Sequence, residues 1–292
     1  MSRLFPADFL AGLEALRIEA RRVPPRGRHG EHHAREAGGG IEFRDYRPYA
    51  PGDDLRRVDW NLFRRFQRVF IRLLDEVRDL PCYLLTDVSA SLFAGDGAAA
   101  DTARRAAAVM AAVSLAQLDA VSVLPFGAGL GPSLPPVEGR KSLPRVLHFL
   151  EECRPLGTTN IGRALHDFTR APHREGLVVL ISDFYDPAGV PAVETALKGL
   201  RHRLALVRIV RPEDREPSLQ GEIRLLDVET GDHLDVAVDE RVRRRYRERY
   251  EAFEESLRGM AARLHVPLLE VDVHRPLLPQ FGPLFPEGVF RP

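Results

Sequence analysis

The chain has 292 residues, of which 44% are hydrophobic and 29% are charged, and its 42 basic residues balance 42 acidic residues. This composition is that of a soluble globular protein, and the zero net charge gives no reason to expect nucleic acid or an anionic membrane as the main partner. No run approaches the roughly 18 uncharged apolar residues that span a bilayer, and the first residues lack the basic flank and apolar core of a signal peptide. We therefore expect a cytoplasmic protein without a membrane span.

The first 40 residues are predicted to form a helix and a linker. Apolar residues recur on one helical face over residues 7–22, which favours a short helix that docks on a larger core. Residues 23–40 are rich in proline, glycine and charge and have no hydrophobic period, which is typical of a linker. Because no cysteine or apolar framework accompanies His29, His32 and His33 in this linker, we interpret them as solvated side chains and not as a metal site.

Residues 41–79 are dense in aromatic, basic and acidic residues, and we expect them to form an extension that packs on the core. Pro51 and Gly52 fit the central positions of a type II turn, and residues 69–74 have the composition of a strand. We expect a structural motif tied down by Trp60 and Phe63, with a partner-binding surface as the alternative. Its charges are expected to pair within the segment, the candidates being Asp53, Asp54 and Asp59 with Arg56, Arg57, Arg64 and Arg65.

Residues 80–292 alternate between apolar strands and helical patterns, which favours a mainly parallel sheet covered on both faces. The predicted strands are residues 81–86, 120–126, 177–182, 204–210 and 266–271. The predicted helices are residues 98–118, 143–152, 161–170, 188–200 and 239–264. Two β-prone runs within residues 220–236 flank a glycine-containing turn, which indicates an inserted hairpin, and residues 274–292 read as an irregular strap. We therefore predict a doubly wound α/β fold of Rossmann type with an N-terminal extension and an inserted hairpin.

The segment LLTDVSASL carries the strongest chemical signal in the chain. Its predicted strand ends beside Asp87, and Ser89 and Ser91 follow at two-residue steps, so the three side chains project to one side while the chain stays extended. A second predicted strand ends beside Asp183, and the carboxyl ends of parallel strands lie along one edge of a sheet. Thr159, in the loop GTTN, is either a third contributor or a cap of the following helix. Because paired carboxylates repel without a cation and no His or Cys accompanies them, this set predicts a site for Mg²⁺, Mn²⁺ or Ca²⁺.

Three pieces of the sequence, DVSAS, GTTNIGRAL and LISDF, resemble the metal-ion-dependent adhesion site of von Willebrand factor A domains, in the same order and at similar separations. This resemblance places Asp87, Ser89, Ser91, Thr159 and Asp183 on the motif positions. Upstream, EFRDYRPYAPGDDLRRVDW resembles the signature of the bacterial domain-of-unknown-function-58 family, whose core is similar to von Willebrand factor A domains. Members of that family are commonly encoded beside MoxR-type AAA+ ATPases, which implies a role in ATPase-driven assembly or maturation of other proteins. Many members also carry membrane helices, and this sequence departs from them.

We therefore expect a non-enzymatic protein that binds a partner through a divalent cation, with a carboxylate of the partner completing the metal shell. The resemblance makes a MoxR-type AAA+ ATPase the first candidate partner. A metal-dependent phosphohydrolase with Asp87 as nucleophile is an alternative, although such enzymes generally need an acid two residues later, where this chain has Ser89. A purely structural scaffold, in which the same residues only form turns, is a third hypothesis.

Overall fold

The computed structural model describes residues 4–22, 41–55, 58–76 and 80–284. The chain divides into two compact units, a larger one from Met1–Gly27 together with Leu80–Pro292 and a smaller one from Arg28–Asp79. The predicted linker at residues 23–40, with its three histidines, lies outside the described residues.

The helices and strands are numbered in chain order. The helices are α1 (Ala7–Arg22), α2 (Trp60–Phe66), α3 (Ala98–Ala116), α4 (Leu143–Glu152), α5 (Ile161–Arg170), α6 (Val190–Lys198), α7 (Pro212–Arg215), α8 (Glu240–Leu264) and α9 (Leu277–Gln280). The strands are β1 (Ile41–Pro48), β2 (Phe70–Glu76), β3 (Cys82–Asp87), β4 (Val121–Phe126), β5 (Leu134–Val137), β6 (Leu177–Ser182), β7 (Arg203–Val210), β8 (Gly221–Leu226), β9 (His233–Val238) and β10 (Leu268–Asp272).

The larger unit is built on a six-stranded sheet in the order β10-β7-β6-β3-β4-β5. Neighbouring strands are parallel except at one edge, where β5 runs antiparallel to β4. One apolar core joins the sheet to α1, α3 and α4, and a second core on the opposite face joins it to α5, α6 and α8. The structure confirms the predicted mixed α/β class with a mostly parallel sheet flanked by helices, an arrangement consistent with a Rossmann-like fold.

Burial on both faces explains why the central strands read as nearly continuous apolar runs. Every residue of β3 and β4 is buried, and so are the last five residues of β6, as expected for strands covered by helices on two sides. The helix α3 is largely alanine and is buried along almost its whole length, because small side chains let a helix lie close to the sheet. The predicted elements of this unit match the observed ones within two residues at each end.

The larger unit contains elements that the sequence did not predict, among them the short helix α7, the edge strand β5 and the helix α9 in the tail. The edge strand β5 was not predicted, since its sequence, LPPV, contains two prolines; proline lacks an N–H donor and is tolerated only at the edge of a sheet. The tail from residue 274, predicted to be an irregular strap, contains α9 and a 3-10 turn at Gly282–Leu284. Phe281 in this tail is fully buried and belongs to the apolar core of the sheet.

The smaller unit contains the antiparallel pair β1–β2 and the helix α2. Its predicted turn is confirmed, because the N–H of Asp53 donates to the carbonyl of Ala50 at 3.1 Å and Gly52 has a φ of 105°. The strand predicted at residues 69–74 is present as β2, whereas β1 and α2 were not predicted.

The polar contacts of the smaller unit pair Asp53 within the segment, as predicted, but with an arginine outside the predicted set; the predicted partners Arg56 and Arg57 lie outside the described residues. Asp53 forms an ion pair with Arg47, whose guanidinium donates to the carboxylate at 2.7 Å. Asp59 caps α2 by accepting from the N–H groups of Asn61 and Leu62. The expectation that Trp60 ties the segment down is wrong, because 61% of this side chain is exposed.

No helix in the described parts of the chain is long and apolar enough to cross a membrane.

Candidate metal centre

Two aspartates stand at the same edge of the central sheet. Asp87 is the last residue of β3, and Asp183 directly follows β6. These two strands are parallel neighbours, with Thr86 paired to Ile181, so both carboxyl ends meet at one edge. Both aspartates are buried, with exposed fractions of 0% and 3%.

The segment after β3 folds around the carboxylate of Asp87. The N–H of Ser89 donates to Asp87 Oδ1 at 2.8 Å, and the hydroxyls of Ser89 and Ser91 lie 3.1 Å apart. The expectation that the chain stays extended from Asp87 to Ser91 is wrong, since the strand ends at Asp87 and Ser91 lies in a turn. The three polar side chains therefore cluster through a turn and not through strand alternation.

Backbone hydrogen bonds hold the loop at residues 156–160 against the segment after β3. The N–H of Leu156 donates to the carbonyl of Val88, and the N–H of Ala90 donates to the carbonyl of Gly157, both at 2.8 Å. The same loop also packs against Gly127, which directly follows β4. A Cβ added at Gly127 would lie 2.2 Å from the carbonyl oxygen of Leu156, so only glycine allows the two backbones to lie this close together. This packing holds the loop that carries Thr159, which is 2% exposed, at the same edge of the sheet as Asp87.

Thr159 does not cap the helix that follows it. Asn160 is the cap of α5, because its side chain accepts from the N–H of Arg163 at 2.8 Å. The N–H and the hydroxyl of Thr159 instead donate to the two carboxylate oxygens of Glu229, at 3.2 and 3.1 Å. Of the two roles that the sequence left open, the capping role belongs to Asn160, and Thr159 is available to the site.

Burial raises the pKa values of both aspartates, and the charge of Asp87 raises that of Asp183 further. Burial raises the pKa of Asp87 to about 6, against hydrogen bonds from Ser182 and Ser89 that lower it. Burial together with the negative charge of Asp87 raises the pKa of Asp183 to about 7. Among the described residues, Asp183 Oδ2 is buried without a hydrogen-bond partner, while Oδ1 accepts from the N–H of Tyr185. A cation beside these carboxylates would relieve the repulsion and occupy the unpaired oxygen.

The donor set fits a hard divalent cation. Within the described residues, no group of three or more His, Cys, Asp or Glu side chains is arranged to hold a metal ion, so a site at this edge depends on hydroxyl oxygens as well as on the two carboxylates. Oxygen ligands of this kind suit Mg²⁺, Mn²⁺ or Ca²⁺ better than Zn²⁺. The metal set predicted from the sequence remains a prediction, and the structure brings its members to one sheet edge.

Sequence reasoning missed two residues of this centre. The hydroxyl of Ser182 donates to Asp87 Oδ2 at 2.6 Å and accepts from the N–H of Phe184, whose φ is 65°. A positive φ at a buried phenylalanine is a strained conformation of the kind that occurs at functional sites. Ser182 had a sequence signal, since it directly precedes Asp183 at the strand end. Glu229 had no sequence signal beyond its place in the predicted turn of the hairpin.

Comparison with known proteins links the chain to bacterial proteins without an assigned function. It is 29% identical over 223 residues to uncharacterised proteins of Mycobacterium bovis and Mycobacterium tuberculosis, which covers 74% of this chain and 69% of each relative.

Two solved structures are similar at a lower level. A conserved hypothetical protein BatB from Bacteroides thetaiotaomicron is 18% identical with a TM-score of 0.36, covering 63% of this chain and 99% of the other. An aerotolerance-related membrane protein from Bacteroides fragilis is 16% identical with a TM-score of 0.39, covering 62% and 99%. At these scores the similarity supports no inference about fold or function.

A protein family described as "Protein of unknown function DUF58" matches residues 45–256, which is more than half of the chain. The chain therefore belongs to the DUF58 family.

Proposed function

We propose that this protein is a non-enzymatic binding module of the von Willebrand factor A type that grips a partner protein through a divalent cation. Asp87, Ser89, Ser91, Thr159 and Asp183 hold the ion, which is Mg²⁺ or, with similar chemistry, Mn²⁺ or Ca²⁺. A carboxylate of the partner completes the metal shell. The partner to test first is a MoxR-type AAA+ ATPase in the cytoplasm, on the family resemblance alone.

The observation that carries this proposal is the pair of buried carboxylates at the joint edge of β3 and β6. Two like charges in a buried site repel, and Asp183 Oδ2 lacks a hydrogen-bond partner among the described residues. Folding tolerates such an arrangement best when a cation supplies the missing charge. The hydroxyl cluster of Ser89 and Ser91 beside Asp87 adds the neutral oxygen ligands that magnesium needs in a six-oxygen shell.

The residue two positions after Asp87 argues against the phosphohydrolase alternative. That residue is Ser89, which cannot protonate a leaving group as an acid would. A nucleophilic Asp87 therefore lacks an acid partner at the position where such enzymes generally have one.

Magnesium binding to the purified protein tests the metal site. Because an ion that binds only the folded state stabilises it, magnesium at one hundred times its dissociation constant should add about 2.7 kcal/mol to the free energy of unfolding. Asp87→Ala should abolish this gain, while the matched variant Glu255→Ala, which removes an exposed carboxylate on α8, should retain it. Urea denaturation with and without magnesium measures the effect. A wild-type protein that gains no stability from Mg²⁺, Mn²⁺ or Ca²⁺ would favour the scaffold hypothesis.

Binding of the purified ATPase tests the partner. We expect its capture by the immobilised protein to require magnesium and an intact Asp87. Capture that persists in EDTA and with Asp87→Ala would contradict the metal-bridged mechanism. A phosphatase activity of the purified protein that is lost in Asp87→Ala would favour the phosphohydrolase alternative.

A further inference from the structure

Residues 219–246, which comprise the hairpin and the start of α8, expose much apolar surface. They carry nearly half of the large apolar side chains that are exposed in the described parts of the chain, namely Leu219, Leu225, Leu226, Val228, Leu234, Val242 and Tyr246. Single exposed apolar residues are common on protein surfaces, whereas a concentration of them in one place marks an interaction surface. A two-stranded hairpin is also at best marginally stable alone, so it gains stability from a partner that covers it.

The hairpin has one wholly apolar face, which we name the hairpin face. Ile223 pairs with Val236 and Leu225 pairs with Leu234 across the two strands, and residues two apart on a strand project to the same side. Ile223 and Val236 are half-buried, but Leu225 is 42% exposed and Leu234 is 62% exposed. The hairpin face is therefore open at the end nearest the turn, where Asp232 is exposed two residues before Leu234.

The start of α8 presents a face that is both apolar and basic, which we name the helix face. Val242, Arg245, Tyr246 and Arg249 stand at positions i, i+3, i+4 and i+7, which lie on one side of a helix. All four are exposed, Val242 by 37% and Tyr246 by 40%. The hydroxyl of Tyr246 donates to the carbonyl of Asp214 at 2.5 Å, so the ring is held in place while it stays accessible.

The two faces belong to segments of opposite charge. Residues 221–238 contain five acidic residues and one arginine, whereas residues 240–249 contain six arginines and two glutamates. The ion pairs at the start of α8 stay within the helix, since Arg243 and Arg247 both contact Glu240. In the ranges that the structure describes, no ion pair joins the hairpin to α8, and Arg245 and Arg249 have no acidic partner. Both segments therefore carry charge that their own chain does not match.

Helix stability does not explain these arginines. Arg241, Arg245 and Arg249 follow one another at intervals of four residues, and like charges at this spacing repel. Arg241 and Arg243 also lie in the first turn of α8, where a positive charge opposes the helix dipole. A local arrangement that costs stability indicates that the charge is used outside α8.

We propose that the hairpin face and the helix face form a self-complementary surface through which two copies of this chain associate about a two-fold axis. The helix face of one copy covers the hairpin face of the other, and the axis repeats the contact. The apolar side chains of the helix face pack on Leu225 and Leu234, while Arg245 and Arg249 meet the carboxylate of Asp232. A six-residue strand spans about 20 Å and the first ten residues of α8 span about 15 Å, so the two faces have similar lengths.

A second copy fits this surface better than a nucleic acid or an anionic membrane does. The arginines would attract phosphate groups, but the acidic hairpin that leads into α8 would be repelled by them. A second copy instead offers each face the opposite charge and an apolar counterpart, which gives an interface with an apolar core and a charged rim. The association requires no bound ion, so this inference is independent of the proposed metal site.

Sedimentation equilibrium of the full chain in EDTA measures the association. We expect the wild type to dimerise, with a dissociation constant that rises between about 50 and about 500 mM NaCl because salt screens the charged rim. Leu234→Ser should raise the dissociation constant about tenfold or more, since each dimer loses two buried leucines. Leu118→Ser, which changes a 43% exposed leucine outside the two faces, should leave it unchanged.

A charge exchange tests the contact between the copies. Arg245→Glu and Asp232→Arg should each weaken the homodimer about tenfold, because each places like charges together at both repeats of the contact. An equimolar mixture of these two variants should recover the association, since the mixed dimer has opposite charges at both contacts. Arg244→Glu makes the same charge change on another side of α8 and should associate like the wild type.

Three results would overturn the inference. The first is a wild type that stays monomeric at about 100 μM. The second is a dimer that Leu234→Ser and both charge reversals leave unchanged, because another surface then holds it. The third is a mixture of Arg245→Glu and Asp232→Arg that associates no better than either variant alone. Since every substituted side chain is exposed, the variants should keep the fold, and circular dichroism checks this.

Discussion

Two groups of buried charges lie on the same sheet and are organised in opposite ways. In the first, which we name the Arg208 cluster, Arg208 on β7 is 1% exposed and is surrounded by Tyr250, Glu254 and Glu270. Its guanidinium donates to the two glutamates at 3.1 and 3.2 Å and to the tyrosine hydroxyl at 3.2 Å. Opposite charges meet inside one chain, so the charge of Arg208 is matched without a ligand.

The candidate metal centre has the same degree of burial without the matching charge. Asp87 and Asp183 carry the same sign, whereas Arg208 faces glutamates of opposite sign. In the part of the chain that the structure describes, both groups contain one buried atom without a hydrogen-bond partner, Oδ2 of Asp183 and Nε of Arg208, so the contrast is one of charge. The folded state tolerates a buried charge that has a partner of opposite charge. Buried charges of the same sign destabilise the folded state unless a counter-ion binds beside them. The difference indicates that the Arg208 cluster is structural and that the metal centre is built for an ion.

The largest effect is expected from breaking the Arg208 cluster. Arg208→Met should lower the free energy of unfolding by about 3 kcal/mol or more, because it leaves the 8% exposed Glu254 with only its longer contact to Arg258, at 3.4 Å. Urea denaturation measures this loss, and magnesium should not restore it. The double variant Arg208→Met with Glu254→Gln should recover part of the stability. An Arg208→Met protein as stable as the wild type would show that the cluster is not structural.

A smaller effect on the free energy of unfolding is expected from Asp183→Asn. The sign of this effect depends on whether magnesium is present. At saturating magnesium this variant should lose the stabilisation of about 2.7 kcal/mol that the wild type gains at one hundred times the dissociation constant. Without magnesium, above pH 7, it should be at least as stable as the wild type, because it removes one of two repelling charges. Denaturation in urea at pH 8, with magnesium or with EDTA, gives both comparisons.

The pH dependence of the metal-free protein provides the control for Asp183→Asn. The pKa of Asp183 is raised from 3.8 to about 7, so between these values the folded state binds more protons than the unfolded state. The stability of the metal-free wild type should therefore fall as the pH rises from about 4 to about 7. Asp183→Asn should flatten this fall, and an unchanged profile would contradict the inferred repulsion.

The smallest effect is expected from an exposed ion pair on the hairpin. Arg224 and Asp235 face each other across β8 and β9 with contacts of 2.6 and 3.0 Å, but their side chains are 66% and 63% exposed. Because solvent screens such a pair, Asp235→Asn should leave both the unfolding midpoint and the magnesium affinity unchanged. A measurable loss of either would mean that the hairpin contributes more to the unit than its exposure indicates.

The sequence predicted the elements of the larger unit well because burial imposes clear patterns. Central strands are apolar throughout, and helices such as α4 and α5 show one apolar face, so their limits could be read within two residues. Asp87 and Asp183 could be placed together because parallel neighbouring strands end at the same edge. Trp60 shows the limit of this reasoning, since an aromatic residue predicts burial and this one is exposed.

The residues around the two aspartates were harder to predict, because their contacts join distant parts of the chain. Ser182 reaches Asp87 across 95 positions, and Glu229 reaches Thr159 across 70 positions. No local pattern predicts which turn of an inserted hairpin will meet which loop.

By itself, the amino-acid sequence determined the α/β class, most of the element limits and the two strand-end aspartates, since these follow from hydrophobic periodicity and from the geometry of parallel strands. Only the tertiary structure decided the strand order, the turn that clusters Ser89 with Ser91, and the contact of Glu229 with Thr159. The physical reason is that periodicity records which side of an element is buried, whereas the partner that covers it depends on how the whole chain packs.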